Sequence, residues 1–139
     1  KRCRALLSGV LTDDWVTVDQ PLKKIRDRSG QHRVIAADDG QPARSHFRVL
    51  ERLSGFTYAE VEIETGRTHQ IRAHAASFGH PLAGDERYNP RTPPAGLKRL
   101  FLHAHFLRLP GSEEEVFNAP LPEELKSVLT ALRRPHSKD

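Results

Sequence analysis

The chain has 139 residues, of which 22 are Lys or Arg and 18 are Asp or Glu, so its formal net charge is +4. Hydrophobic residues make up 37% and charged residues 29% of the chain, a balance that excludes both a disordered tail and a membrane protein. The single cysteine excludes a disulfide scaffold and a zinc ribbon, and it indicates a reducing compartment such as the cytoplasm. The first four residues precede only a short apolar stretch, so we expect no signal peptide.

Most of the basic residues are arginines, and most of them lie before residue 113. The chain contains 16 Arg and 6 Lys, and residues 113–139 hold 4 basic and 6 acidic residues. Arginine presents a planar fork that matches phosphate and stacks on bases. The uneven charge favours a polyanion such as nucleic acid as partner, although ordinary solubility charge gives the same composition.

Residues 3–39 predict short strands. Residues 3–10 form a buried strand that closes at Ser8-Gly9, and residues 15–19 form a strand that stops before Pro21. The charged residues 23–39 predict either a loop or an edge hairpin around Ser29-Gly30.

A β-hairpin is predicted for residues 45–53 and 56–64, because apolar and charged residues alternate in both segments. Bringing the apolar faces together pairs Phe47 with Ile63, Val49 with Val61 and Arg48 with Glu62. This register leaves a three-residue loop, residues 54–56.

Two helices and a central strand are predicted beyond the hairpin. Thr68 suits the N-cap of a helix over residues 69–78, which ends at Gly79. Residues 100–109 are apolar on both faces, as in a central strand, and residues 122–134 predict a final helix with Pro122 at its first position. The buried stripe of that helix consists of Leu125, Val128, Leu129 and Leu132.

These elements predict a single α+β domain over residues 1–139, built on a mixed, mainly antiparallel sheet. Residues 84–99 form a long basic loop rich in Pro, Gly and Arg, and loops of this length tend to carry function.

Common signatures of other site classes do not occur in the sequence. His103 and His105 share one strand face, but there is no H-E-x-x-H and no cysteine pair, so a metal-dependent enzyme is the weakest alternative. Neither G-x-S-x-G nor a phosphate-binding glycine loop is found. Cys3 fits a small core residue better than a nucleophile.

The segment 64–74 is the strongest candidate site, because a glycine turn leads into a helix N-terminus that attracts anions. Arg67 and His69 flank that end, and Arg72 follows one turn later. This cluster can hold an RNA phosphate or fix a carboxylate through Arg72. A helix start with surface charge explains the same residues equally well.

The run T-G-R-T-H-Q-I-R-A-H at residues 65–74, followed by G-H-P-L-A-G-D-E-R-Y at 79–88, resembles the signature of the RluA-type pseudouridine synthases. The resemblance extends to residues 19–22, 40–47, 102–104 and 118–122, so it covers about residues 1–132. Ser45 stands where the family usually has Thr. The resemblance implies that family's α+β catalytic fold and isomerisation of uridine in ribosomal or transfer RNA, without a cofactor or a metal.

The resemblance also implies roles for single residues. Arg72 matches the Arg that pairs with the family's essential aspartate, and Leu102 matches an apolar residue lining the base pocket. Arg67 and His69 would contact the RNA backbone. The basic loop, with Arg87, Lys98 and Arg99, would help to select the RNA, for which we expect the large ribosomal subunit.

Two departures from the family pattern stand out. The aspartate lies in an H-R-L-D-x-x-T-S-G motif that does not occur in residues 1–139. The chain therefore resembles the C-terminal portion of the catalytic domain, missing its N-terminal part, and we expect it alone to make no pseudouridine. Cys3 stands where the family has a tyrosine that contacts the base. A noncatalytic RNA-binding module on the same scaffold is the alternative, and the sequence before Lys1 would distinguish the two.

Overall fold

A computed structural model describes residues 2–66, 69–108, 115–118 and 120–133. This part of the chain is an α+β domain, as predicted, in which six strands precede the first α-helix. The elements are β1 (Arg2–Ser8), β2 (Trp15–Asp19), β3 (Leu22–Arg26), β4 (His32–Ala36), β5 (Arg44–Arg52), β6 (Phe56–Ile63), α1 (Gln70–Ser77), β7 (Leu102–Arg108), β8 (Glu115–Asn118) and α2 (Glu123–Arg133). The strand pairs of the described residues are all antiparallel, so no parallel pair of a mixed sheet is seen there.

Six strands form the main sheet in the order β2-β5-β6-β1-β7-β8. Strand β7 has a neighbour on each side, in agreement with the central strand predicted for this segment. Strands β3 and β4 form a separate two-stranded sheet. Asp27 Oδ1 closes their turn by accepting the N–H groups of Ser29 and Gln31, each at 3.0 Å. The hairpin was therefore the correct alternative for residues 23–39, although it forms a sheet of its own rather than an edge of the main sheet.

The predicted register of the β5–β6 hairpin is wrong by two residues. Phe47 faces Val61, Val49 faces Ala59, Arg48 faces Glu60 and Ser45 faces Ile63. A shift of two residues keeps every side chain on its face, so alternation cannot distinguish the two registers. A bulge between Val49 and Glu51 changes the pairing near the turn. The Leu53 N–H donates to the Phe56 carbonyl at 2.8 Å, so the turn consists of Ser54 and Gly55 alone.

Strand β1 separates two hydrophobic cores. Cys3, Ala5 and Leu7 lie in the first core, which also contains Ile71 and Ala75 of α1. Leu6 lies in the second core, together with three residues of α2, Leu125, Val128 and Leu129. Side chains alternate between the faces of a strand, and β1 therefore places one helix on each face of the sheet.

Helix α1 begins one residue later than predicted. His69 occupies its N-cap position and makes no side-chain capping bond there, whereas the predicted cap, Thr68, lies outside the described residues. Gly79 is confirmed as the C′ residue, although the helix ends at Ser77 rather than at the predicted Phe78. Gly79 N–H donates to the Ala76 carbonyl at 3.1 Å and His80 N–H to the Ala75 carbonyl at 2.9 Å, which is the Schellman arrangement.

Helix α2 has the predicted buried face, with Leu125, Val128 and Leu129 buried and Leu132 packed against them. The Pro122 carbonyl accepts the N–H of Lys126 at 3.0 Å, so Pro122 is the N-cap rather than the first helical residue. Arg134 lies outside the described residues. Neither described α-helix has the length and apolar character needed to cross a membrane.

Candidate active site

Arg72 on α1 forms a two-pronged ion pair with Asp85. Its Nε donates to Oδ2 at 2.9 Å and its Nη2 donates to Oδ1 at 2.7 Å. The Asp85 side chain is fully buried, and the Arg72 side chain is 19% exposed. Two parallel bonds of this kind fix the plane of the guanidinium as well as its position. The hydrogen bonds with Asp85 raise the pKa of Arg72 above its ordinary value.

The Asp85 carboxylate is held in turn by the backbone that follows it. Its Oδ1 accepts the N–H of Arg87 at 3.1 Å and the N–H of Tyr88 at 3.3 Å. An aspartate that accepts N–H groups two and three residues ahead closes a turn. An aspartate in a loop is itself a signal for such a turn, but the sequence analysis gave Asp85 no role. No local signal could have shown that this carboxylate meets Arg72.

The ring of Tyr88 packs against two guanidinium groups. The Cζ atoms of Arg72 and Arg33 lie 5.2 and 5.1 Å from the ring centroid, within the range of a cation–π interaction. The Tyr88 hydroxyl accepts the N–H of Val34 at 3.0 Å and lies 3.1 Å from Nδ1 of His69. Tyr88 therefore connects the β3–β4 hairpin to the N-terminal end of α1.

His69 is held in a strained conformation beside Arg72. Its φ is 51°, and a non-glycine residue in the left-handed region costs about 1–3 kcal/mol, so surrounding contacts must enforce it. The Tyr88 hydroxyl can donate its proton to Nδ1 of His69, which then carries its own proton on Nε2. Burial, and then the charge of Arg72, lower the pKa of His69 below its ordinary value and favour this neutral form.

A buried polar network attaches α1 to the sheet behind the site. Gln70 Nε2 donates to Ser45 Oγ at 3.0 Å, and Ser45 Oγ lies 2.7 Å from His74 Nδ1. His74 Nε2 lies 2.9 Å from the Gln20 carbonyl oxygen. A carbonyl only accepts, so His74 carries its proton on Nε2 and accepts the Ser45 hydroxyl proton on Nδ1. Gln70 and His74 flank Arg72 on the helix, and the network thus fixes the orientation from which Arg72 extends.

The Arg72–Asp85 pair borders a cleft of about 360 Å³ between α1 and the long loop. Its lining residues are Arg72, Gly84, Asp85, Glu86, Arg87, Lys98, Arg99 and Leu100. Four of these side chains are cationic and two are anionic, so the cleft is electropositive and suits an anion such as phosphate.

The two ends of the loop meet on strand β1. Ala83 N–H donates to the Leu6 carbonyl at 2.8 Å, and Phe101 N–H donates to the Ala83 carbonyl at 3.0 Å. At this closure a Cβ on Gly84 would lie 2.1 Å from the Arg99 carbonyl oxygen. The close approach of the two backbones keeps the first and last residues of the loop in one wall of the cleft.

Three of the predicted RNA-binding residues, Arg87, Lys98 and Arg99, line the cleft. His69 lies beside it through its contact with Tyr88, and Arg67 lies outside the described residues. The side chain of Arg99 is anchored, because its Nη1 lies 3.3 Å from a Glu124 carboxylate oxygen. The guanidinium of Arg87 donates to the His32 carbonyl in β4.

The carboxylate partner of Arg72 in the structure is Asp85, whereas the family resemblance implies an aspartate from outside residues 1–139. Asp85 uses two of the five N–H groups of the guanidinium. No second acceptor for Arg72 occurs among the described residues. The remaining N–H groups can therefore bind a second carboxylate, and the expected pairing stays a prediction.

Leu102 and Cys3 lie on the same side of the sheet as α1. Cys3 is buried in the first core, and Leu102, which is partly buried, packs against that core. Ile71, the residue before Arg72, belongs to the same cluster. The interpretation of Cys3 as a core residue is confirmed, and a tyrosine ring would not fit its place without rearrangement.

In the part of the chain that the structure describes, no group of three or more His, Cys, Asp or Glu side chains is arranged to hold a metal. The predicted histidine pair is not testable, because the side chain of His105 lies outside that part.

Comparison with known proteins gives the family. A family described as RNA pseudouridylate synthase matches residues 11–77. An uncharacterised RNA pseudouridine synthase of Chloroflexus aurantiacus is 43% identical over 84% of the chain and 37% of its own length. The ribosomal large subunit pseudouridine synthase D of Nitrosomonas europaea is 41% identical over 96% of the chain and 41% of its own length.

The fold agrees with these matches. The structure of human RNA pseudouridylate synthase domain containing 1 superposes with a TM-score of 0.70 at 25% identity, over 100% of this chain and 67% of that one. Fold and relatives together define the class as that of proteins named RNA pseudouridine synthases. The chain belongs to the RNA pseudouridylate synthase family, and it spans about two fifths of the length of the curated relatives it matches.

Proposed function

We propose that the protein isomerises uridine to pseudouridine in structured RNA, with large-subunit ribosomal RNA as substrate and the cytoplasm as its place of action. The observation that carries the proposal is the buried Arg72–Asp85 pair at the wall of an electropositive cleft. The names of relatives such as the Nitrosomonas synthase support the choice of ribosomal RNA.

The reaction needs no external reactant, so catalysis depends on the positioning of the reacting groups and on electrostatics. The bond from N1 of uracil to C1′ of ribose breaks, and a bond from C5 to C1′ forms. The proton on C5 leaves, and N1 gains a proton, so atoms and electrons balance. The uridine must leave its stack to react. Leu102 would contact the flipped base.

Arg72 would orient the nucleophilic carboxylate that the family resemblance implies. An adjacent guanidinium keeps a carboxylate ionised at neutral pH. Arg72 still has N–H groups for this purpose after it has bound Asp85. Its attachment to the buried network of α1 would keep it in place while RNA binds.

The RNA backbone would lie along the cleft and the adjoining hairpin. Arg87, Lys98 and Arg99 face the cleft. Arg87 also contacts the β4 backbone, which brings the cleft next to a hairpin with further cations. The basic residues of this hairpin are Lys23, Lys24, Arg26, Arg28 and Arg33.

Tritium release tests the proposal. The full-length protein is incubated with a large-subunit RNA transcript that carries tritium at C5 of uridine, and tritium in water is counted. We expect release by the wild type. Because lysine cannot form the two-pronged pair, Arg72→Lys should lower kcat at least about 100-fold.

Arg133→Lys is the matched control. Arg133 forms an equally two-pronged pair with Glu51 on the α2 side of the sheet, with both distances 2.8 Å, and we expect an unchanged kcat. RNA binding without tritium release by the wild type would contradict the enzyme and support an RNA-binding module. An Arg72→Lys variant as active as the control would contradict the role of Arg72.

A further inference from the structure

We propose that Asp85 is the positioning residue of the site: it holds one edge of the Arg72 guanidinium, so that the free edge binds the reacting carboxylate in a fixed geometry. This inference rests on the proposed function and assigns a role to a residue to which the family resemblance gave none.

The first argument is geometric. Asp85 binds the Nε and Nη2 edge of Arg72 through both of its oxygens. The ring of Tyr88 lies against the same guanidinium, with its centroid 5.2 Å from Cζ. The Asp85 carboxylate at one edge of the guanidinium and the Tyr88 ring packed against it together restrict the rotation of the guanidinium.

The second argument is that Asp85 is itself immobile. Its side chain is fully buried, and Oδ1 also accepts two backbone N–H groups, from Arg87 and Tyr88. A residue holds a reacting group in an accurate position when further hydrogen bonds fix its own conformation. Asp85 therefore transmits the rigidity of the turn 85–88 to Arg72.

The third argument is electrostatic. Asp85 offsets part of the positive charge of Arg72 that a second carboxylate meets at the free edge of the guanidinium. Removing the charge of Asp85 would leave an uncompensated cation, which lowers the pKa of that carboxylate. The other charged or titratable groups around the pair are His69, Glu86, Arg87, Tyr88, Lys98 and Arg99. The charge of Asp85 also raises the pKa of His69, so Asp85→Asn should lower that pKa further and keep His69 neutral over a wider pH range.

Asp85→Asn in the full-length protein tests the proposal. The Asn oxygen can still accept the N–H groups of Arg87 and Tyr88, so the turn is kept, while the amide N–H faces the guanidinium. We expect kcat for tritium release to fall about 10- to 100-fold, with KM changed less than about threefold. We also expect the acidic limb of the kcat–pH profile to move to lower pH.

Two further variants make the result decisive. Asp85→Glu keeps the charge and displaces the guanidinium, so kcat should fall while the acidic limb stays in place; it carries the test if the Asn variant does not fold. Glu51→Gln removes the carboxylate of the other two-pronged pair and should change neither quantity.

A wild-type kcat and profile in Asp85→Asn would overturn the positioning role and leave the proposed function intact. A lower yield of folded protein with an unchanged profile would assign Asp85 to stability alone and likewise overturn it. An inactive wild type would overturn both proposals.

Discussion

At the scale of the residue, His74 links the stability of the protein to pH. It is fully buried and bonded on both ring nitrogens, to Ser45 and to the Gln20 carbonyl. Burial lowers its pKa below the ordinary value of 6.5. As pH falls, the unfolded chain therefore takes up a proton before the folded protein does. The stability is fully present above about pH 6.5 and is lost as pH falls towards the folded pKa.

Urea unfolding at two pH values checks this expectation. Between about pH 7.5 and about pH 5.5 the free energy of unfolding should fall more in the wild type than in His74→Gln. At the higher pH the variant should be less stable by about 1–3 kcal/mol, because Ser45 and Gln20 lose a buried partner. An equal fall in both proteins would show that His74 does not titrate as argued.

The sequence predicted the site only in part, and Arg72 shows why. Its position one turn into a helix after a glycine turn followed from local pattern. Its partner Asp85 lies 13 residues further along the chain, and the contact depends on how the loop returns to β1. The network of Ser45, Gln70 and His74 was equally out of reach, because it joins a strand to a helix through side chains that local periodicity does not relate.

At the scale of the element, the loop 84–99 depends on one close contact at its base. Gly84 has φ +76°, and a Cβ there would meet the Arg99 carbonyl oxygen. Gly55 in the β5–β6 turn has nearly the same φ, +77°, with open space around it. Comparing alanine substitutions at Gly55 and Gly84 therefore separates the free-energy cost of the left-handed conformation from the cost of the steric contact with Arg99.

We expect Gly55→Ala to lower the free energy of unfolding by about 1–2 kcal/mol, the cost of a left-handed conformation. Gly84→Ala should lower it further, because the loop ends must also move apart. It should weaken RNA binding as well, since Arg99 and Lys98 lie in the displaced wall. Urea unfolding and filter binding measure the two effects. Equal destabilisation by the two substitutions would contradict the close contact.

The sequence predicted the positions of the helices and strands better than it predicted which residues pair between strands. The positions of the hairpins and helices followed from alternation, caps and turn residues. The β5–β6 register did not, because a two-residue shift preserves both faces and the bulge after Val49 has no composition signal. The start of α1 also differed from the prediction, because His69 occupies the N-cap. His69 makes no capping bond and is held there by its tertiary contact with Tyr88, which the local sequence does not reveal.

At the scale of the whole molecule, the excess of basic residues predicts salt-dependent RNA binding. Each phosphate contact releases counterions, so the logarithm of the binding constant should fall linearly with the logarithm of salt concentration. Lys98→Ala should reduce the slope by about 0.7–0.9, the share of one phosphate contact.

Lys126→Ala is its control, because Lys126 is an exposed lysine on α2 that does not line the cleft. We expect it to leave the slope unchanged. Fluorescence anisotropy of labelled RNA over a salt series gives both slopes. A slope that Lys98→Ala does not change would remove that lysine from the RNA interface.

Because β1 contributes side chains to two cores, it limits which insertions and deletions the chain can tolerate. Cys3, Ala5 and Leu7 serve one core, while Leu6 serves the other. Adding or deleting a single residue within this strand would send each following side chain to the opposite face. A point substitution in β1 affects only the core that its side chain enters. We therefore expect related chains to vary in length in the connections between strands and not within β1.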